Sequence, residues 1–539
     1  MGVLPEQRRF LVNVDTASTQ QLFTDCLIIG AGVAGLRAAI EAAQTCSVII
    51  VCKNGLQNSN TWLAQGGIAA VLDKTDTFES HVKDTLDAGC GLADKDVAEM
   101  VIRQGPELIE QLDKWGAEFD KNDGQIITTL EGGHSRPRVA HAHGDETGRV
   151  IGETLLNKVR QFTNIKIIEN FFTIDLLTND NNECVGIIGQ GKHGLQIIWS
   201  PNTILATGGT GQLYRETTNP DVATGDGLAM AYRAGAVLRD LEFMQFHPTT
   251  LYIAGASRAL ITEALRGEGA ILVDNKGRAF MKDYHESAEL APRDVVSRAI
   301  LSQMLKTKST HVYLDVRHFD KRHFAKRFPA INELCESFDI DITRDLIPVR
   351  PSAHYMIGGV KTDISAKTNI GNLYACGEVA STGLHGANRL GSNSLLEGLV
   401  MGRIAGASAS TNIKGNSSHI MHPKIKYYVP YSNRTRLDTI DVRNSLRALM
   451  WRNVGITRKA QPLIEAQEII SFWQRYVMDK MFDSPDGWEC QNMLTISLFM
   501  AKSAQQRKES RGVHYRSDYP ETDDTHFKRH IEITAGKIT

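Results

Sequence analysis

A chain of 539 residues exceeds what one ordinary hydrophobic core organises, so several structural units are expected. Hydrophobic residues make up 42% and charged residues 23%, both near globular averages, and a formal net charge of -2 offers no electrostatic handle for nucleic acid or a membrane surface. Eight cysteines without a CxxC pair or regular spacing fit reduced thiols rather than disulfides, zinc or an iron–sulfur cluster, so no metal site is expected and any redox cofactor is organic.

The chain opens with Arg8-Arg9 before Phe10-Leu11-Val12, yet positions 15–21 are polar where an export signal needs its apolar run. No stretch approaches the ~20 apolar residues that cross a bilayer, and a cytoplasmic chain without membrane attachment is expected. Residues 25–29 form a short apolar run entering Gly30-Ala31-Gly32-Val33-Ala34-Gly35, followed by helical composition over 36–43 and a second β-rich run over 47–52. In glycines so spaced between strand and helix, the first makes the turn, the second lets the backbone approach a pyrophosphate and the third admits close helix packing. Gly30, Gly32 and Gly35 fit these roles, although Cys52 and Lys53 end the second strand where an acidic ribose ligand is usual.

Further strands are read at 164–169, 183–188 and 202–207, the last ending in Gly208-Gly209. From 242 to 355 the composition shifts to many acidic and basic residues, with a helix over 292–305 and a short strand over 311–316, as in a domain inserted into the first. Strand-like 372–375 and glycine-rich 377–406 return to α/β character. From 433 onward glycine is sparse, and Leu446, Met450, Val454, Leu463, Ile470 and Trp473 recur at helical spacing. The segment 411–431 is the best linker, and the polar last twenty residues read as a frayed end. The expected architecture is a discontinuous Rossmann-like α/β domain (1–241 and 356–425), an inserted α+β capping domain (242–355) and a C-terminal helical domain (426–539).

Four segments read together carry a resemblance: Asn58-Ser59-Asn60-Thr61-Trp62-Leu63-Ala64-Gln65-Gly66-Gly67-Ile68, Ala206-Thr207-Gly208-Gly209, Thr224-Gly225-Asp226-Gly227 and Cys376-Gly377-Glu378-Val379. Together they resemble the succinate dehydrogenase/fumarate reductase flavoprotein family, and the likeness covers nearly the whole chain. It implies FAD as cofactor, with contacts from residues 61–67, Asp226, Glu378, Ser394 and Leu395, and a basic family position at Lys53. Respiratory members attach FAD through a histidine where this chain has Asn60, which implies a flavin held without a covalent bond.

A dicarboxylate needs two anion clamps, and guanidinium forks and imidazoles suit carboxylates. Candidates are His247 in Gln245-Phe246-His247-Pro248, His354 in Ser352-Ala353-His354-Tyr355 and Arg389 in Gly386-Ala387-Asn388-Arg389. A single histidine beside proline is more often structural; the joint match to the family's motifs carries this assignment. Thr262, Glu263 and Arg266 resemble the segment supplying further substrate and proton-path contacts, with Glu268 equally readable as a solvated loop charge. Arg293 matches the family's proton-transfer arginine, its plain alternative being a helix-start ion pair with Asp294.

Glu131, in Glu131-Gly132-Gly133-His134-Ser135, resembles the glutamate of the L-aspartate-oxidising branch, where a carboxylate pairs with an ammonium that succinate lacks. That branch implies oxidation of L-aspartate to iminoaspartate, flavin reoxidation by oxygen or fumarate, and transfer of the product to quinolinate synthase in de novo NAD biosynthesis. The competing readings are a fumarate reductase or succinate dehydrogenase flavoprotein subunit with an iron–sulfur partner chain, and a flavin binder without catalysis.

Overall fold

The computed structural model describes residues 8–256, 258–415 and 422–539. Five parallel strands form the central sheet in the order Ile165–Ile168, Val48–Val51, Cys26–Ile29, Asn202–Leu205, Leu373–Ala375. The three middle strands are buried at every position, which explains their unbroken apolar runs: both sheet faces are covered. The fifth strand comes from beyond the insertion, so the domain is closed by chain that leaves and returns. On one face, helix Val33–Ala42 packs on helix Asn393–Gly415; a Cβ on Gly402 would lie 2.5 Å from Ala34 O, so glycine permits this approach.

The 183–188 run is the strand Cys184–Gly191, in a second sheet between Phe172–Thr178 and Gly194–Trp199, with Gln20–Phe23 at the edge. Phe172–Thr178 escapes a pattern reading because a charge interrupts it: Asp175 is fully buried and accepts from Arg233 Nε at 2.6 Å and Leu11 N at 2.9 Å. The inserted domain is a four-stranded antiparallel sheet in the order Met244–Leu251, Ile347–Met356, Val312–Asp315, Ile271–Val273, with helix Arg293–Thr307 against it. It has its own core, built around Leu272, Ile300, Leu314, Phe324 and Ile347.

Helices Thr439–Asn453, Ala460–Val477 and Pro485–Gln506 make the C-terminal unit, and Leu446, Met450, Val454, Leu463 and Ile470 are all buried there. The chain end corrects the expectation of fraying. Glu532–Thr534 pairs with Leu238–Arg239, and Lys537–Ile538 folds back beside it through a turn with Gly536 at φ +78°. Three isoleucines, Ile531, Ile533 and Ile538, are buried by this hairpin and were masked by their polar neighbours in sequence.

Leu238–Arg239 also pairs with Gly359–Lys361, so the tail strand and both connections to the inserted domain lie in one sheet. The predicted linker, 411–431, falls partly outside the described residues; within them Lys426–Tyr427 pairs with Val14–Asp15. Residues 1–7 of the amino-terminal reading also lie outside. Among the described residues no helix is long and apolar enough to cross a membrane.

Candidate active site

Where the central strands end at their carboxyl edge, a cavity of about 610 Å³ opens toward the inserted domain, its wall taking in Ile29, Val51, Ala206 and Cys376. Ligands of open α/β sheets bind at this edge. Residues 30–34, Lys53, Asn60, Thr61, residues 63–65, Asp226, Glu378, Ser394 and Leu395 line it; Gly35, Trp62, Gly66 and Gly67 do not. Gly35 packs instead, since its Cβ would lie 2.0 Å from Gly30 O, while Gly30 holds φ +113° and could carry no side chain against Ala206 O. Trp62 faces helix Thr147–Val159, and a Cβ on Gly67 would strike Ala140 O at 2.3 Å.

The wall suits a polar dinucleotide. Ser59 Oγ, Gln65 Oε1 and Thr207 Oγ1 are buried in it without a hydrogen-bond partner among the described residues. Each such atom left unpaired costs about 1–3 kcal/mol, which ribityl, ring or phosphate groups of FAD would recover. Helix Val33–Ala42 has no acidic residue in its first turn, as an anion site requires, and Val33 N donates to Thr61 Oγ1 at 2.9 Å. Lys53 Nζ is held by Thr224 Oγ1 and Asp226 Oδ2, both at 2.7 Å, and Glu489 Oε1 at 2.6 Å. Asn60 Nδ2 donates to Glu378 Oε2 at 2.9 Å, and Met356 N donates to Glu378 Oε1 at 2.9 Å; burial pushes this carboxyl up to about 7.

Beside the cavity the structure brings together Glu131, His247, Thr262, Glu263, Arg266, Arg293, His354 and Arg389. His247 and His354 stand on adjacent strands of the inserted domain, ring centroids 5.2 Å apart, and His354 Nδ1 is tied to Thr218 Oγ1 at 2.9 Å. Glu263, first residue of helix Glu263–Gly267, accepts from Arg266 Nη2 at 3.1 Å and Arg293 Nε at 2.6 Å, with buried Thr262 just before it. Arg293 does not form the simple pair with Asp294, which binds Arg298 instead at 2.8 Å. Glu268 is an exposed loop charge, paired with Arg327 at 2.8 Å. The glycines after Glu131 let its loop reach Glu263: a Cβ on Gly132 would lie 2.5 Å from Glu263 Oε1.

Gln245, which the sequence reading passed over, joins two of the arginines. Its Oε1 accepts from Arg293 Nη1 at 3.2 Å and from Arg389 Nε and Nη2 at 3.2 and 3.0 Å. Its signal was visible, since it stands two residues before His247 on one strand and so faces the same side. Arg389 also donates to Ser394 Oγ at 2.8 Å and stacks 4.4 Å over the Tyr355 ring. Ser392 and His141, also passed over, flank Glu131: Ser392 Oγ donates to Oε2 at 3.3 Å and His141 Nε2 lies 3.2 Å from Oε1. These arrive from loops more than 250 positions away and from a hairpin, and no local pattern marks them.

Burial, reinforced by the Arg293 charge at His247 and the Arg389 charge at His354, holds both imidazoles well below their usual range, so both are neutral. Burial and then Arg293 lower Arg389 to about 10, which leaves it charged at neutral pH. Burial works to raise Glu131, but the hydrogen bond from His141, followed by His134 and the Arg293 guanidinium, prevails and holds it at about 2. The carboxylate is thus ionised and buried, with Ser392 at Oε2 and His141 at Oε1. Among the described residues no group of three or more His, Cys, Asp or Glu is placed to hold a metal ion.

Residues 25–395 match the family model described as FAD binding domain, and residues 443–538 match that of the fumarate reductase flavoprotein C-term. An L-aspartate oxidase of Streptomyces coelicolor is 40% identical over 532 residues, spanning 94% of this chain and 91% of that protein. L-aspartate oxidase 1 of Ralstonia nicotianae is 42% identical over 521 residues, spanning 92% and 96%. A solved E. coli quinol fumarate reductase superposes with a TM-score of 0.88 at 33% identity and covers 96% of each chain.

Proposed function

This chain belongs to the L-aspartate oxidase family, on the fold shared with fumarate reductase flavoproteins, and from that premise we propose that it oxidises L-aspartate to iminoaspartate with FAD as cofactor. The observation that carries the substrate is the buried, ionised Glu131 carboxylate set beside Glu263 and Arg293. An amino dicarboxylate brings an ammonium to pair with this carboxylate; succinate brings a methylene and offers the buried charge nothing. That comparison favours aspartate over the reading as a succinate dehydrogenase or fumarate reductase subunit.

Bound FAD supplies the two-electron acceptor for the Cα hydrogen, and Asn60 leaves it without the histidyl link of respiratory relatives. Arg389, His247 and His354 clamp the two carboxylates while Gln245 fixes the arginine forks, so Cα is presented in one orientation. Glu263, with buried Thr262 just before it, lies between Arg293 and Glu131 in the charge cluster. When fumarate is the oxidant, Arg293 delivers a proton to the reduced double bond, with Glu263 and Arg266 behind it as the relay. The inserted domain covers the site and excludes water that would hydrolyse the imine, which passes to quinolinate synthase as the first step of de novo NAD biosynthesis in the cytoplasm.

Glu131→Gln tests this reading. It keeps shape and removes charge, so the loss of a charge-assisted hydrogen bond of about 1.5–3 kcal/mol lowers kcat/KM for L-aspartate roughly 10- to 100-fold. Unchanged turnover with FAD intact would contradict the role of Glu131.

A further inference from the structure

Arg266, Arg293 and Arg389 converge on the substrate position, and they are held in two different ways. Arg266 and Arg293 share the Glu263 carboxylate, at 3.1 and 2.6 Å. Among the described residues Arg389 bonds only uncharged acceptors: Gln245 Oε1, 3.2 Å from Nε and 3.0 Å from Nη2, and Ser394 Oγ, 2.8 Å from Nη1. Arg389 is buried, and a buried guanidinium without a carboxylate partner is costly unless something else stabilises its charge.

Tyr355 lies against that charge. The guanidinium carbon sits 4.4 Å from the ring centroid, and an aromatic face attracts a cation through its quadrupole, most strongly where water is excluded. The ring is anchored from behind: its hydroxyl donates to Glu397 Oε2 at 3.0 Å, Thr382 Oγ1 donates to Glu397 Oε1 at 2.6 Å, and His385 Nε2 lies 3.0 Å from Oε2. Burial, with the Glu397 charge behind it, pushes the hydroxyl well above its ordinary value, so it stays a donor. A phenol that donates to a carboxylate is polarised by it, which makes the ring face more negative. Ser394 and Glu397 stand three apart on helix Asn393–Gly415, so one helix face carries both the acceptor for Arg389 and the anchor for Tyr355.

This arrangement suits a clamp. A carboxylate beneath Arg389 would hold it as firmly, but it would cancel the charge that a substrate carboxylate needs. A ring face holds the guanidinium and leaves its charge unspent. The bonds to Gln245 and Ser394 engage Nε, Nη1 and Nη2 once each, so one N–H on each terminal nitrogen stays available to a ligand.

We propose that Tyr355 is a positioning residue of the dicarboxylate clamp: its ring face carries Arg389 without neutralising it, and Glu397, through the Tyr355 hydroxyl, fixes and polarises that ring. The inference rests on the reading of Arg389 as a carboxylate clamp given above.

The test uses the oxidised holoenzyme and fumarate, an electron acceptor that an oxidised flavin cannot reduce, and takes the dissociation constant from the shift of the visible flavin band. Tyr355→Phe is compared with the unmodified protein, and then with proteins whose phenylalanine at 355 bears one, two or three ring fluorines. Each fluorine draws charge from the ring face and changes its shape little. The dissociation constant should rise stepwise with fluorine, by about ten-fold across the series. Tyr355→Phe, which loses the Glu397 anchor, should itself bind about three-fold more weakly than the unmodified protein.

A flat fluorine series, or a slope that persists in Arg389→Met, overturns the support of Arg389 by the ring. Equal binding by Tyr355→Phe and the unmodified protein overturns the part given to Glu397. Arg389→Met that binds fumarate as tightly as the unmodified protein overturns the underlying reading of the clamp instead. Should Tyr355→Phe fail to retain FAD, ring-fluorinated tyrosines at 355 keep the hydroxyl and decide by the same slope.

Discussion

Asn60 Nδ2 donates to Glu378 Oε2 at 2.9 Å, joining two cavity segments 318 positions apart in the chain. An amide so engaged is no nucleophile, and the proposed reading has the flavin held by shape and hydrogen bonds alone. Unfolding the yellow protein in acid or guanidinium should leave a colourless pellet and all flavin in the supernatant. Colour retained in the washed pellet would show a covalent link through another residue.

Glu378 makes the flavin-free protein sensitive to pH. Burial raises its carboxyl from 4.5 to about 7, so the folded state binds the proton more tightly than the unfolded chain. The resulting stabilisation is complete below the unfolded value and is lost as pH rises from there through the folded value. The thermal midpoint of flavin-free protein should therefore drop further between about pH 5 and about pH 8 than that of Glu378→Gln. Equal slopes in the two proteins would show that this carboxyl is not shifted.

Asp145 latches the inserted domain onto the cofactor domain. Its two carboxylate oxygens accept from Ala330 N and Ile331 N, both at 3.0 Å, in the first turn of helix Pro329–Ser337. Removing such a cap costs about 0.5–2 kcal/mol. Asp145→Ala should lower the unfolding free energy by that amount and raise KM for aspartate more than it lowers kcat, because the cover is held less closed. Unchanged KM would mean that the latch does not govern closure.

Asp240 sits at the root of the inserted domain with φ +61°, a conformation that demands support. Support comes from the tail: Asp240 N donates to Ile531 O at 2.8 Å, Ile531 N donates to Oδ1 at 3.0 Å, and His530 Nδ1 pairs with Oδ2 at 2.5 Å. Deleting residues 530–539 removes this support and the burial of three isoleucines, each worth about 1.5–3 kcal/mol. A large fall in the denaturation midpoint is expected, with weakened substrate binding; a midpoint unchanged by the deletion would make the tail dispensable.

Much of this was legible in the chain. Gly30, Gly32 and Gly35 announce the strand-turn-helix entry because their backbone demands are local, and the central strands read cleanly because burial on both faces leaves no polar alternation. His247, His354, Arg389 and Glu131 stand out through motifs, and the fold brings them near one another. The parts that escaped are non-local or atypical for their setting. Asp175 breaks an apolar strand while paired with Arg233, and Asp145 caps a helix some 185 positions away. Ile533 and Ile538 hide a strand pairing inside a polar tail, and His141 reaches Glu131 only because two short strands bring positions 128–129 against 139–140.

The most direct test of the central claim is to mix the purified yellow protein anaerobically with L-aspartate, and separately with succinate, while following the visible flavin band. Rapid bleaching with L-aspartate and not with succinate is the predicted result. Bleaching with succinate alone would contradict the assignment of Glu131 to an ammonium and place the chain's activity with the respiratory relatives.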